Sequence, residues 1–121
     1  MADALYLMFL LQLKHFYFDF ANQTQTEIDN KGCYGSWLGI IHSLKHATLT
    51  GLAVWVVLGY PGIPFAISMA ILDLVAHYHI DYVKMRFGTK DSSTKRFWAE
   101  FGADQFAHQL TYILIIGLTV L

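Results

Sequence analysis

The chain has 121 residues, of which 55% are hydrophobic and 14% charged, and its formal net charge at pH 7 is −1. This balance excludes the broad basic surface that nucleic-acid binding needs, and the 16% of aromatic residues excludes a disordered chain. The single cysteine, Cys33, excludes a disulfide framework and a cysteine-based zinc cluster. The length predicts one domain, residues 1–121.

Long apolar stretches separated by short polar segments predict the helices. In chain order they cover residues 4–22, 36–60, 64–87 and 97–121. Each has roughly the 17–25 residues that a helix needs to cross a bilayer, and none alternates apolar and polar residues as a half-buried strand does. Because the connections are short, the sequence predicts an all-α fold, an integral-membrane up-down four-helix bundle.

Basic residues predict the orientation of this bundle. They concentrate around the third loop, where Asp91 is the only acidic residue, so the positive-inside rule places that loop in the cytoplasm. Four crossings then put the first loop on the same side and both termini on the far side. The predicted location is the cell inner membrane, in contact with membrane lipid, and association of several copies is left open. The basic residues are Lys84, Arg86, Lys90, Lys95 and Arg96.

Each predicted helix carries one pair of ionisable side chains four residues apart. Ionisable residues inside membrane helices are rare and usually functional. A spacing of four places both side chains on one face of a helix, about 6 Å apart along its axis. Every pair lies at a similar distance from the cytoplasmic end of its helix, so the pairs can meet in one layer. They are His15 with Asp19, His42 with His46, His77 with Asp81, and Asp104 with His108.

These imidazoles and carboxylates predict a metal centre with mixed nitrogen and oxygen ligands. Such a set suits Zn²⁺, Mn²⁺ or Fe²⁺ better than copper(I), and better than Ca²⁺ or Mg²⁺, which prefer oxygen alone. So many ligands predict two ions, and two-metal centres activate water for the hydrolysis of phosphoesters. Three carboxylates with two divalent cations leave a positive site, which predicts an anionic substrate.

Three neighbouring residues are candidates for supporting roles. Glu100 lies one turn before Asp104 and is the predicted general base, because it is not needed as a ligand. Lys84 is predicted to attract the anion at the mouth of the site. Asp73, one turn from His77, is predicted to orient that imidazole from outside the ligand shell.

Three further polar residues are predicted to lie outside the site. His79 points away from His77 and is not expected to bind metal. Lys14 and Lys45 lie off the ligand faces, and their ammonium groups are expected to extend toward the lipid headgroups.

The segments around the pairs resemble a known family. It is the small phage and bacterial integral-membrane family called domain of unknown function 3307, and the likeness covers nearly the whole chain. The resemblance implies a membrane location and no particular activity. More distantly, the layout is similar to membrane-bound metal-dependent hydrolases, which adds an analogy for hydrolysis. The segments are HFYFDFANQT (15–24), HSLKHATLT (42–50), HYHIDYVK (77–84) and DQFAHQLT (104–111).

The function predicted from these features is hydrolysis of a phosphoester or related bond in a lipid or lipid-linked substrate, by a two-metal centre near the cytoplasmic side. Two alternatives are left open. One is a non-catalytic membrane module, held together by metal, that binds another membrane protein as a phage exclusion factor does. The other is a metal-ion carrier, which needs a polar path to both faces of the membrane.

Overall fold

The protein is all-helical, and the computed structural model describes all 121 residues. The predicted all-α class is confirmed, and the four long helices agree closely with the predicted ones. A π-helical turn, Tyr17–Ala21, follows the first helix, and a 3₁₀ turn, Tyr60–Gly62, joins the third to the fourth. The helices are α1 (Ala2–Phe16), α2 (Gln25–Asn30), α3 (Trp37–Leu58), α4 (Ile63–Phe87) and α5 (Lys95–Val120).

Two segments are long and apolar enough to cross a membrane. Trp37–Leu58 has a mean hydropathy of 1.3 over its best window, and Tyr60–Phe87 reaches 1.5. The 15 residues of α1 span only about 22 Å, and α5 begins with charged residues and carries several polar ones. Length and hydropathy therefore support two of the four predicted crossings.

The four long helices form a closed bundle in which α1 packs against α3 and α5, and α4 packs against the same two helices. The closest pair is α3 with α4. At Gly51 of α3 an added Cβ would lie 3.1 Å from the Cβ of Ala70, so the missing side chain lets the two backbones approach. Short connections make neighbours antiparallel and bring the first and third loops to the same end.

The interior has an apolar half and a polar half. The apolar half lies toward the chain termini and is filled by side chains such as Leu7, Leu11, Val54 and Ile115, all of which are fully buried. The polar half lies toward the first and third loops. Thirteen of the 24 buried residues are polar or charged, whereas large apolar side chains are exposed along all four long helices. The usual distribution of polar and apolar residues is thus reversed.

The short helix α2 lies inside the segment that was predicted to be a loop, so that prediction was wrong for residues 25–30. Its start is a capping box. The Glu27 backbone N–H donates to Thr24 Oγ1, and the Thr24 backbone N–H donates to Glu27 Oε2 at 2.8 Å. Glu27 Oε1 also accepts a hydrogen bond from Lys45 at 2.6 Å. These contacts attach the first loop to α3.

We expect Glu27 to make stability depend on pH. Burial opposes its ionisation, but hydrogen bonds from Lys45 and Thr24 outweigh burial and lower the pKa of Glu27 from 4.5 to about 2. Its contribution is therefore complete above about pH 4.5 and is lost as the pH falls through 2. The stability difference between the protein and Glu27→Gln should shrink over that window. Thermal unfolding of both proteins at several pH values tests this, and a constant difference would contradict it.

Candidate metal centre

The π-helical turn places the first carboxylate of the centre. The Asn22 backbone N–H donates to the Tyr17 carbonyl at 2.7 Å, which adds a residue to this turn. Asp19 lies within it, and its side chain is only 7% exposed. Asp19 Oδ1 is 2.9 Å from His42 Nε2, 2.9 Å from His46 Nε2 and 3.7 Å from His77 Nε2.

These four residues form a compact set of possible ligand atoms, all within 4.8 Å of one another. Around a tetrahedral Zn²⁺, nitrogen and oxygen ligands at about 2.0–2.2 Å lie about 3.3–3.6 Å apart. The separations from Asp19 Oδ1 bracket that value. The set therefore has the chemistry and nearly the spacing of a four-ligand site.

A second compact set consists of His77, Asp81 and His108. His108 Nε2 is 3.2 Å from Asp81 Oδ1, and His77 Nε2 is 3.4 Å from Asp81 Oδ2. His77 belongs to both sets, but its Nε2 atom can bind only one ion. Neither ring nitrogen of this fully buried histidine has a hydrogen-bond partner. Buried polar atoms without partners are rare, and a cation between the two sets would give Nε2 one.

The other two predicted ligands lie at the edges of the cluster. Asp104 Oδ1 is 3.7 Å from His108 Nε2 and has no hydrogen-bond partner. His15 Nε2 is 3.5 Å from Asp19 Oδ2, but it also pairs with Gln105 Oε1 at 2.8 Å. All eight predicted residues therefore come together in one layer, and six of them form the two compact sets.

Behind the cluster lies a buried polar network that the sequence analysis did not predict. Lys14 Nζ donates to Asp73 Oδ2 at 2.6 Å and lies 3.4 Å from His46 Nδ1. Thr50 Oγ1 also donates to Asp73 Oδ2, at 2.6 Å. The Tyr112 hydroxyl lies 3.3 Å from Lys14 Nζ and 2.9 Å from His15 Nδ1, so it reaches a second imidazole of the layer.

This network corrects two predictions. Lys14 does not extend to the headgroups, because it is 4% exposed and pairs with Asp73 inside the bundle. Asp73 does not contact His77 as predicted; it acts on His46 through Lys14. Both errors arise because the side chains of α1 and α4 meet across the bundle, and the spacing within a single helix gives no information about such contacts. Groups behind metal-binding imidazoles fix the orientation of the rings.

Lys31 is the site residue that the sequence analysis missed. It lies just after α2, is 8% exposed, and its Nζ is 2.9 Å from Asp81 Oδ2 and 4.0 Å from Asp19 Oδ1. The signal was weak: Lys31 is the one basic residue between Asn22 and Gly35. Its contact follows from the fold of α2 over the open end of the bundle.

Lys84 and Glu100 lie at the loop end of the site. Lys84 Nζ is 3.6 Å from Asp104 Oδ2 and stays partly exposed, as expected for a residue at the mouth. Glu100 Oε2 accepts from the Thr89 backbone N–H at 2.7 Å, and Oε1 accepts from Arg96. Glu100 thus holds the third loop and contacts none of the clustered imidazoles, so its contacts do not support the predicted general-base role, which stays a prediction.

Of the two remaining polar predictions, the one for His79 agrees with the structure. His79 lies on the outer surface, where its Nε2 is 3.0 Å from the Tyr34 hydroxyl. Lys45 lies outside both ligand sets and is about one-third exposed, but its ammonium pairs with Glu27 in the first loop, so its extension to the lipid headgroups stays a prediction.

A polar cavity of about 430 Å³ opens from the centre toward the first and third loops. Asp19 and Asp81 line its inner end. Lys31, Lys84 and Lys90 line it as well, together with the carboxylates of Asp29 and Glu100, so its wall carries charges of both signs. The lysines give the cavity hydrogen-bond donors for an anion that binds at the centre.

With neutral imidazoles, the buried charges of the centre do not balance. Four carboxylates face the interior against two ammonium groups, Lys14 and Lys31, and each of these side chains is 9% exposed or less. One divalent cation balances the excess when the carboxylates are ionised and the imidazoles are neutral. A second would leave the site positive and suited to a doubly charged anion. The carboxylates are those of Asp19, Asp73, Asp81 and Asp104.

Fold and site together define a class: a small helical bundle whose apolar surface encloses a buried His/Asp cluster, with two helices that qualify as membrane spans. The chain belongs to the family of proteins of unknown function DUF3307, whose model matches residues 7–121. The resemblance noted in the sequence is thereby confirmed. Comparison with curated proteins finds no match, and comparison with solved structures finds none. The wider similarity to metal-dependent hydrolases therefore stays a prediction.

Proposed function

We propose that this protein is a membrane-embedded hydrolase whose centre binds two divalent transition-metal ions, Zn²⁺, Mn²⁺ or Fe²⁺. Its substrate is a phosphoester or comparable ester of an anionic lipid or lipid-linked compound. All four long helices cross the membrane, and the loops at the open end of the site face the cytoplasm.

The reversed distribution of side chains supports four crossings. Leu5 and Phe9 of α1 and Leu114 and Leu118 of α5 are each more than half exposed. In water, an apolar surface of this extent would drive aggregation, whereas in lipid it is the normal outer surface of a bundle. With its π-helical turn, α1 extends over residues 2–21, about the length that a span requires.

The two ligand sets differ in their number of ligands, and we therefore propose a structural role for one and a catalytic role for the other. Asp19, His42, His46 and His77 supply four protein ligands and leave no open position, as structural zinc sites do. With His77 in that site, the second set keeps Asp81 and His108, and Asp104, whose Oδ1 lies 3.7 Å from His108 Nε2, would bring it to the three ligands of catalytic sites. Asp81 also lines the polar cavity, so the open position of this set is accessible from the loops. The position of this second set, beside a cavity that Lys31 and Lys84 also line, is the observation that carries the proposal.

The chain's own residues fit the needs of phosphoester hydrolysis. The bound ions supply Lewis acidity that activates a water molecule. The water oxygen forms a bond to phosphorus while the ester P–O bond breaks, and one water proton passes to the departing alcohol oxygen. Lys31 and Lys84 donate hydrogen bonds to the phosphoryl oxygens, on which negative charge accumulates. Lys31 also holds Asp81 in place.

The apolar half of the bundle argues against a metal-ion carrier. A carrier needs polar groups along its whole path, but Leu7, Leu11, Val54 and Ile115 close the interior toward the termini and are fully buried. The non-catalytic module held together by metal is the competing function. Activity therefore has to be measured together with metal content.

We expect Asp104→Asn to separate catalysis from structure. It should lower hydrolysis of a phosphatidic acid at least about 100-fold, because a lost ligand costs more than the 10–100-fold of an outer partner. The four-ligand site should keep its ion, so metal content should fall from two ions per chain to one. Elemental analysis and phosphate release on the detergent-purified protein measure both quantities. Asp91→Asn, in the exposed third loop, is the matched control.

Metal binding without any phosphate release from the unmodified protein would favour the non-catalytic module. Glu100→Gln tests the general-base prediction in the same assay. If Glu100 only holds the third loop, the variant should keep most of the activity.

A further inference from the structure

A second cavity lies between α4 and α5 and opens sideways to the outer surface of the bundle. Its volume is about 520 Å³, within the range of sites that bind small ligands. Its walls are mostly apolar, with Ile80, Val83 and Phe87 from α4 and Ala103 and Ala107 from α5. Val83 and Phe87 are more than half exposed, so this groove faces whatever surrounds the helices.

The groove adjoins the polar cavity above the metal centre. Lys84, Gly88 and Glu100 line both spaces. The groove reaches the centre at Asp104, and the polar cavity reaches it at Asp19 and Asp81. An apolar groove and a polar cavity thus lie side by side, and each reaches carboxylates of the candidate centre.

The third loop is closely packed at Gly88, where the groove meets the polar cavity. A Cβ added at Gly88 would lie 2.4 Å from the Lys84 carbonyl oxygen and 2.9 Å from Glu100 Oε2. Only glycine therefore fits here without a shift of the backbone. The Lys84 ammonium lies 4.7 Å from the centre of the Phe101 ring, which helps to hold it at the boundary.

We propose that the groove between α4 and α5 holds the hydrocarbon chain of an anionic membrane lipid whose phosphate head lies at Lys84 beside Asp104. The occupant is a bilayer lipid because the groove opens on an apolar surface and ends at the Lys84 ammonium, where the proposed metal ions would offset the carboxylates of Glu100 and Asp104. A soluble phosphate would leave the apolar groove unused. Hydrolysis of the lipid head group depends on the proposed function. Binding of the hydrocarbon chain in the groove does not.

The lipid enters laterally, between two helices, so the head group need not leave the membrane surface to reach the centre. The small side chains of Ala103 and Ala107, one turn apart on α5, leave the width that a chain requires. Added bulk at Ala103 should fill the groove without disturbing the interior, because this residue is exposed.

The test compares Ala103→Phe with Gly102→Phe on the full-length protein loaded with metal. Gly102 is the adjacent residue, lies outside the groove, and has nothing within 4 Å of an added Cβ. Binding of dioleoyl phosphatidic acid, measured by native mass spectrometry, should weaken at least about tenfold in Ala103→Phe, a factor that two unburied methylene groups supply. Gly102→Phe should change it less than about twofold. Glycerol 3-phosphate, which has no hydrocarbon chain, should bind both variants alike.

Equal lipid binding by the two variants, or an equal loss in both, would overturn the assignment. Dissociation of an oligomer by Ala103→Phe alone would overturn it too, because a second copy would then occupy the groove. If the unmodified protein hydrolysed no lipid and Ala103→Phe alone lost lipid binding, the hydrolase would be refuted and the lipid groove upheld. If both variants hydrolysed dioleoyl phosphatidic acid at the same rate, the hydrolase would be upheld and the lipid groove refuted.

Discussion

Replacement of His42 by alanine should remove metal from the purified protein. His42 Nε2 lies 2.9 Å from Asp19 Oδ1 in the four-ligand set, so its loss leaves three of the four ligands. We expect affinity for Zn²⁺ to fall more than about 100-fold, beyond the effect of losing an outer-shell partner. Elemental analysis after dialysis at a fixed free Zn²⁺ concentration measures the change.

The matched control for this variant is His79→Ala. His79 lies on the outer surface of the bundle, where it contacts Tyr34, and it belongs to neither ligand set. Its replacement should leave metal content unchanged. The metal centre would be refuted if His42→Ala and the unmodified protein held the same amount of metal, or if neither held any after incubation with Zn²⁺, Mn²⁺ and Fe²⁺.

The second large effect concerns the stability of the bundle. Lys14→Met removes the partner of Asp73 and leaves its carboxylate buried, since Asp73 is 1% exposed. Breaking a buried pair in this way costs about 3–5 kcal/mol of unfolding free energy. We expect the melting temperature in detergent, at saturating metal, to fall by about 10 °C or more.

A double variant tests the cause of this loss. Lys14→Met with Asp73→Asn removes both charges but keeps an acceptor for the Thr50 hydroxyl, so it should recover most of the stability. Arg96→Ala breaks an exposed pair with Glu100 and should have a much smaller effect, because solvent screens this pair. A small effect of Lys14→Met alone would show that Asp73 is neutral or hydrated, and the network would then contribute little.

Much of the fold and of the ligand layer could be predicted because both depend on periodicity within single helices. The length and hydropathy of each stretch gave the four long helices, and the spacing of four put His15 with Asp19 and His77 with Asp81. Because the chain reverses direction at each loop, the four pairs could then be predicted to lie at the same depth in the bundle. Such features are local, and the composition of one segment is enough to indicate them.

What could not be predicted depends on contacts between segments. No residue in Tyr17–Ala21 marks it as a π-helical turn, because the extra residue is selected by the packing that Asp19 makes with α3. The buried positions of Lys14 and Lys31 likewise depend on carboxylates supplied by α4. The division into a four-ligand and a three-ligand set arises from distances of a few ångströms between helices.

The buried polar layer also bears on how the protein is made. His108 and Tyr112 lie on α5 and contact Asp81 of α4 and His15 and Lys14 of α1. Until the ribosome has added α5, the earlier helices hold these groups without their final partners. A chain truncated before His108 should therefore be unstable and be degraded more readily by cellular proteases.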